Sequence, residues 1–264
     1  MKTPWRLVIL PLLGGLMVCG VCLATGPDVP ALVLRADDTV VFALAGVASL
    51  AACLAFQPGD YLRRAWALMA ASNAFLVIDT LCFGVASPFH ARDIGTTGAL
   101  ISGVITIAAN LTNIVALVIV ARAWRVAGLS FEVKQSTYVV IQSLVTLGAL
   151  VLFGPTVVKG VLGAADQLDG LHVVASTVGD MVSVVVMVPL VLTAFSFRGG
   201  SLAWPWFLLA LSTLCWLGVD GSDALGLQWH LAPATVLLAG ETLRAVASLL
   251  QVSAAWAQRA AIRS

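Results

Sequence analysis

Two opposite charges stand three residues apart in the last apolar stretch of the chain. Glu241 and Arg244 lie in the segment LLAGETLRAVASLL, with mostly apolar residues on either side. On an α-helix, residues three apart share one face, so the carboxylate and the guanidinium partly neutralise each other. Charges within membrane helices usually face the inside of the bundle and mark functional sites. The structural alternative is a salt bridge that only fixes helix packing.

Four more polar residues interrupt apolar stretches: Asp79, Asn110, Asp180 and Asp220. In the topology described below, the three aspartates fall in the outer halves of their helices, and Asn110 falls near the middle of its helix. We expect Asp180 or Asp220 to complete a network around Arg244. These four residues, with Glu241 and Arg244, are the predicted ligand-binding set. For Asn110 the favoured alternative is a role in helix packing, and for Asp220 it is solvation at the membrane interface.

Catalytic and cofactor chemistry has little support in the sequence. The three histidines are spread one to an outer loop, as His90, His172 and His230, and no lysine lies in the middle of an apolar stretch. Paired axial haem ligands within a helix pair and a retinal Schiff base are therefore not expected, and no P-loop, G-x-S-x-G or H-E-x-x-H pattern occurs. We predict no catalytic residue, no metal and no cofactor. An outer metal site from the three histidines and Asp223 is an alternative that the sequence leaves open.

The composition is that of an integral membrane protein. Of 264 residues, 60% are hydrophobic and 10% are charged, and the mean hydropathy is +1.02. Soluble domains carry about 25% charged residues. The net charge of +1 provides no basic surface for phosphates, so a nucleic-acid partner is not expected. The five cysteines all lie in apolar segments, where a thiol is an ordinary packing residue.

Apolar runs of about 20 residues, long enough to cross a bilayer, alternate with short polar breaks. The breaks read TGPDVP, QPGD, SPFHARD, FGP, RGG and GSDALG, and their Gly, Pro and Asp content is typical of turns. The sequence predicts an all-α polytopic bundle, a single membrane domain of eight transmembrane helices, over Trp5 to Thr25, Thr39 to Gln57, Ala65 to Val85, Gly98 to Ala121, Gln135 to Phe153, Val173 to Phe197, Leu202 to Val219 and Ala232 to Trp256.

The basic residues predict the orientation of these helices. With the N-terminus in the cytoplasm, Arg35, Arg92 and Lys159 lie outside, and ten basic residues lie inside, as the positive-inside rule requires. Both termini are then cytoplasmic, and the chain is expected in a bacterial inner membrane. A cleaved signal peptide over residues 1–25 is the alternative for the first apolar run. The inside residues are Lys2, Arg6, Arg63, Arg64, Arg122, Arg125, Lys134, Arg198, Arg259 and Arg263.

The chain also reads as two copies of one four-helix unit, residues 1–134 and 135–264. RRAWALMAASNAFLVIDTL (Arg63 to Leu81) resembles LAWPWFLLALSTLCWLGVD (Leu202 to Asp220), and the stretch beginning at Asn110 resembles the stretch beginning at Glu241. Because four helices are an even number, both copies would have the same orientation. The sequence therefore predicts a parallel 4+4 repeat, with a pseudo-twofold axis along the membrane normal.

The same stretches, together with LAPATVLLAGETLRAVASLL, resemble the multi-pass bacterial membrane sensory regions that precede GGDEF and EAL signalling domains. In that group a helix opens with tryptophan and arginine and ends in Gly-Asp, and a P-A-D-x-x-Y-L-x-G-Y pattern opens the last helix. This chain differs at three of those positions: Ile78 precedes Asp79, Thr235 stands where Asp is usual, and Glu241 replaces an aromatic residue. The sequence ends at Ser264 without an output domain, so the resemblance implies either a separate signalling partner or a chain that is a fragment of a longer protein.

Together these patterns predict a sensory or scaffold module in the lipid bilayer. An unknown small ligand would bind in an outward-facing polar pocket, which packed Leu, Val and Ala residues would close toward the cytoplasm. Two alternatives stay open. One is a transporter of a small or amphiphilic solute, and the other is an intramembrane enzyme that modifies lipids, for which the sequence shows no nucleophile. The oligomeric state is not predicted.

Overall fold

The computed structural model describes residues 5–25, 31–83, 95–126, 134–162, 167–196 and 203–263. These residues form eight α-helices and no strand, which confirms the all-α class. The helices are α1 (Arg6–Thr25), α2 (Ala31–Cys53), α3 (Tyr61–Cys82), α4 (Gly95–Val126), α5 (Gln135–Leu162), α6 (Gln167–Ser196), α7 (Ala203–Trp229) and α8 (Pro233–Arg263).

Most of these helices have the length and composition of membrane spans. Among the described residues, α1, α3, α4, α5, α7 and α8 are long and apolar enough to cross a membrane, and α6 holds a shorter apolar stretch, Ser176–Leu192. Six such helices in one chain indicate a membrane protein. The crossing of α2 and α6, and with it the count of eight spans, stays a prediction.

The break QPGD is a tight turn between α2 and α3, as predicted. Gly59 has a φ of +100°, in the region that favours glycine because it lacks a Cβ. The backbone N–H of Gln57 donates a hydrogen bond to Oδ2 of Asp60 at 2.8 Å. Residues 26–30, 84–94 and 197–202, which hold three further predicted breaks, lie outside the described residues.

Two predicted breaks are wrong, because the helix runs through them. FGP lies inside α5, which continues past Pro155 to Leu162. GSDALG lies inside α7, which continues to Trp229. An apolar surrounding requires backbone groups to be satisfied within the helix. That requirement outweighs the weak turn preference of isolated Gly, Ser and Asp residues. A proline is also tolerated within such a helix.

Helix α7 ends in a compact turn that sets α8 antiparallel to it. His230 has a positive φ of 52°, and the N–H of Leu231 bonds to the carbonyl of Gly226 at 3.0 Å. This is the bonding pattern of a Schellman C-cap, with histidine where glycine is more common. Pro233 then opens α8 in the first turn, where a missing N–H costs nothing.

Six of the helices pack as a ring in the order α2, α3, α4, α6, α7, α8, and α8 closes the ring against α2. Helices α1 and α5 lie outside the ring, α1 against α8 and α5 chiefly against α6. The ring thus consists of two runs of three consecutive helices, α2–α3–α4 and α6–α7–α8. Each run has the same order of neighbours, and the two runs meet at α4 with α6 and at α8 with α2.

Each run contains an equivalent interhelical hydrogen bond. The hydroxyl of Ser72 on α3 donates to the carbonyl oxygen of Ala109 on α4 at 2.8 Å. The hydroxyl of Ser212 on α7 donates to the carbonyl oxygen of Ala247 on α8 at 2.7 Å. All four residues are small, and small residues let helix backbones approach closely enough for such bonds.

We call the end of the ring at which α2, α4, α6 and α8 begin the outer end, and the opposite end the inner end. Packed apolar residues close the inner end, and the cluster includes residues from all six ring helices. Its largest fully buried members are Trp66, Met69, Leu117, Leu190, Leu208 and Leu250. Trp206 also belongs to the cluster.

Helix α1 joins the bundle through two glycines. A Cβ at Gly15 would collide with Val246 of α8, and one at Gly14 would collide with Leu249. The patch of small residues at Gly14 and Gly15 therefore packs within the chain. Gly20, one turn further along α1, has open space where a Cβ would be.

The substitution Gly15→Val tests this contact. Because the added side chain meets Val246, we expect α1 to be displaced and the free energy of unfolding to fall by about 1–3 kcal/mol, the usual cost of overpacking. Unfolding in mixed detergent micelles measures the change. Gly20→Val is the matched control, with an expected change under about 0.5 kcal/mol. Equal losses in the two variants would contradict the close packing of α1 on α8.

Candidate functional site

A polar cavity lies inside the ring, above the apolar cluster. Its volume is about 130 Å³, and its lining comes from α3, α4, α6, α7 and α8. A cavity of this size holds several waters or one small molecule, since an engineered apolar cavity of about 150 Å³ holds benzene. The described polar and aromatic lining residues are Ser72, Asn73, Thr106, Asn110, Asn113, Ser176, Asp180, Ser183, Thr213, Trp216, Asp220, Arg244 and Gln251.

Arg244 lies at the wall of the cavity between two carboxylates. Its Nη1 donates to Oδ2 of Asp38 at 2.9 Å and to Oε1 of Glu241 at 2.8 Å. Asp38 and Glu241 are each 8% exposed, so little water stabilises their charges. The guanidinium supplies the counter-charge that such burial requires. This three-residue cluster also joins α8 to α2, where the ring closes.

Two further carboxyl groups meet between α6 and α7. Asp180 on α6 and Asp220 on α7 both line the cavity. Two carboxyl groups at one cavity repel each other when both are ionised and favour a positive charge between them.

Asn110 reaches the cavity because its neighbour across the α4–α6 contact is a glycine. A methyl group at Gly179 would lie 2.8 Å from Nδ2 of Asn110 and 3.1 Å from its Cβ. No larger residue at position 179 leaves Asn110 in place. The glycine therefore positions both the amide and Asp180, the next residue along α6.

The structure brings together most of the predicted site residues. Asn110, Asp180, Asp220 and Arg244 line the cavity, and Glu241 binds Arg244. Asp79 is not among the described lining residues; its Oδ1 accepts a hydrogen bond from the hydroxyl of Ser102 at 2.7 Å, which ties α3 to α4. The structure therefore supports a packing role for Asp79.

The expected partner of Arg244 was wrong. Asp38, and not Asp180 or Asp220, completes the network. The predicted second span starts at Thr39, which left Asp38 in an outer loop, whereas α2 already begins at Ala31. Because α2 and α8 are parallel neighbours in the ring, Asp38 on the first ring helix faces Arg244 on the last.

Several lining residues were missed, and for two of them, Gln251 and Trp216, the spacing contained a signal. Gln251 follows Arg244 by seven residues, which is two helical turns on the same face, and its Nε2 donates to Oγ of Ser49 at 3.3 Å. Trp216 precedes Asp220 by four residues, again one face. The sequence predicts that polar residues concentrate toward the outer end. Gln251 departs from this prediction, because it extends the polar lining toward the inner end.

Other chemistry-bearing residues do not converge. In the described ranges, no group of three or more His, Cys, Asp or Glu side chains could hold a metal ion. His230 lies in the turn between α7 and α8, whereas His90 lies outside the described residues, and so does the side chain of His172. None of the five cysteines, all of which lie in the described ranges, forms a disulfide.

Comparison with models of protein families, with curated proteins and with solved structures finds no match to this chain.

A double-mutant cycle tests the pairing of Arg244. We expect Asp38→Asn and Arg244→Gln together to cost less than their separate costs, with a coupling of about 0.5–3 kcal/mol, because the two side chains share one ion pair. Unfolding in mixed detergent micelles measures each variant. The matched cycle uses Asp180→Asn with Arg244→Gln, for which we expect a smaller coupling. A larger coupling free energy in the Asp180 cycle would contradict the pairing of Arg244 with Asp38.

Proposed function

We propose that the chain is a sensory module of a bacterial inner membrane, in which a small polar ligand binds in the ring cavity. The observation that carries this proposal is the asymmetry of the ring. A cavity lined by hydroxyl, amide, carboxyl and guanidinium groups lies above a packed apolar cluster that seals the inner end. Ligand sites in helix bundles combine a largely preformed cavity with a few convergent polar groups.

The topology belongs to the same proposal. Eight spans place α2 and α6 across the bilayer beside their ring neighbours, and the basic residues favour cytoplasmic termini. The outer end of the ring then faces the cell exterior, so a ligand reaches the cavity from that side. The apolar cluster keeps the cavity from opening to the cytoplasm.

We also propose that the two halves of the chain are a parallel repeat. The recurring order of ring contacts supports this, as do the matching Ser72 and Ser212 hydrogen bonds. These bonds make Ala109 the counterpart of Ala247. The sequence alignment, which matches Asn110 with Glu241, differs from this correspondence by two helical turns. The cavity then lies where the two halves meet, which is where repeat proteins commonly bind their ligands.

Signalling in this proposal uses the contact between α2 and α8. A ligand in the cavity lies near Arg244 and changes how strongly its guanidinium interacts with Asp38 and Glu241. The α2–α8 contact changes in response, and the long helix α8 carries the change to its inner end near Arg259. A separate partner protein at the inner end of α8 responds to that change. A ligand shifts such an equilibrium only through a difference in its affinity for the two arrangements.

A cavity-filling substitution tests ligand binding. Small neutral, cationic and anionic solutes are added to the purified chain in detergent, and we expect at least one class to raise the melting temperature through binding to the folded state. We expect Ser183→Leu to abolish the effect, because Ser183 lines the cavity. Thr146→Leu on α5 is the matched control, since both hydroxyls bond to the carbonyl four residues earlier. A stabilisation that survives Ser183→Leu would place binding elsewhere.

Transport of a small solute is the second candidate, because parallel repeats with a site between the halves also occur in transporters. Proteoliposomes separate the two functions. For a sensor, a labelled solute that stabilises the protein binds but does not accumulate inside the vesicles, because the inner end stays sealed. Accumulation that is lost in Ser183→Leu would replace the sensory proposal with transport.

A further inference from the structure

We propose that the ligand of the ring cavity is a small organic cation, held by the carboxyl groups of Asp180 and Asp220 and by the indole ring of Trp216. This inference rests on the proposed ligand-binding function and adds the chemical class of the ligand. It depends on the charge, shape and size of the cavity, each of which favours an ammonium group.

The charge around the cavity is negative. Asp180, Asp220 and Arg244 line it, and Asp38 and Glu241 both bind Arg244. Among the described residues of this site, four carboxyl groups therefore accompany one guanidinium. In a surrounding of low dielectric constant this excess attracts a cation strongly and repels an anion. Arg244 is a weak anion site because two carboxylates already neutralise it.

The two carboxyl groups of the cavity suit an ammonium group. Asp180 and Asp220 line the cavity from neighbouring helices, α6 and α7. A primary ammonium group between them donates hydrogen bonds to both, and a quaternary ammonium group, which has no N–H, is held by charge alone. Both carboxylates then face a positive charge at close range, which is the stabilising arrangement for a buried ionic group.

Trp216 adds a recognition element that is specific for organic cations. It lies one helical turn before Asp220 on α7 and lines the cavity. Its ring stacks on Phe42 of α2, with centroids 5.9 Å apart and an angle of 23° between the planes. Phe42, which is 3% exposed, holds the indole against the wall. Indole is the best aromatic partner for a cation, and a metal ion would gain less from it than an alkylammonium group.

The size of the cavity limits the ligand. At about 130 Å³ it is slightly smaller than the engineered cavity of about 150 Å³ that holds benzene. A cation of about four to six heavy atoms, such as n-propylammonium or tetramethylammonium, matches it. The hydroxyl of Ser176 and the amide of Asn110, which also line the cavity, provide oxygen acceptors for further N–H groups.

Titration of the full chain in detergent tests the ligand class. The probes are n-propylammonium and tetramethylammonium, with 1-propanol as the near-isosteric neutral solute, propionate as the anion and potassium as an inorganic cation. We expect the two organic cations to raise the melting temperature in a saturable manner, and the other three solutes to have little effect. We expect Asp180→Asn or Asp220→Asn to weaken binding roughly 30-fold or more, since each leaves a buried charge with one partner fewer.

Asp79→Asn is the matched control for these carboxyl variants. It removes a carboxyl group that bonds to Ser102 outside the cavity lining, and we expect it to change the affinity less than about twofold. If an Asp180 or Asp220 variant fails to fold, the Trp216 variants test the proposal instead, because they keep both carboxyl groups. Trp216→Phe should weaken binding less than Trp216→Leu, which should weaken it roughly 2- to 30-fold.

The outcomes separate this inference from the proposed function. If 1-propanol or propionate stabilises the protein, Ser183→Leu abolishes that effect and the organic cations have none, the cation inference is wrong and the sensory proposal stands. If none of the five solutes binds, both are wrong. If potassium binds as tightly as the organic cations, or if Trp216→Leu binds them normally, recognition of an organic cation is wrong.

Discussion

The ring depends on one guanidinium group. Arg244 joins the last ring helix to the first through Asp38, a residue 206 positions earlier in the chain, while Glu241 on its own helix shares the charge. A lone charge in an apolar bundle costs several kcal/mol, and removal of either side of a buried pair leaves that cost uncompensated. The charge therefore defines which helices must be neighbours, and closure of α8 against α2 creates the space that the other ring helices enclose.

The same requirement divides the ring into two regions. Toward the inner end the side chains are apolar and packed, with Trp66 and Leu250 buried in one cluster. Toward the outer end hydroxyl, amide and carboxyl groups line a cavity. Some of the lining hydroxyls bond to a carbonyl of their own helix, as Ser183 does to Gly179, so these hydroxyls are satisfied without crossing the cavity.

The carboxyl groups of Asp180 and Asp220 and the indole of Trp216, which stacks on Phe42, line the cavity. Each lies on a ring helix, and rigid elements hold binding groups more accurately than loops do. The two three-helix runs meet around this cavity. In the proposed function a ligand would contact both runs at once, and its binding would therefore depend on their relative position.

The sequence by itself determined the helical class and most of each helix, because an apolar run of about 20 residues between polar breaks has one stable solution in a membrane. It also indicated Asn110, Asp180, Asp220 and Arg244, because a polar residue within an apolar run is costly wherever the helix packs. Only the tertiary structure decided their partners. Periodicity specifies the face of a helix and not its neighbour, so the bond of Arg244 to Asp38, the position of Asp180 and Asp220 at one cavity and the separate bond of Asp79 to Ser102 follow from the order of helices in the ring. That order arises from contacts between residues far apart in the chain, such as Asp38 with Arg244, which no local pattern contains.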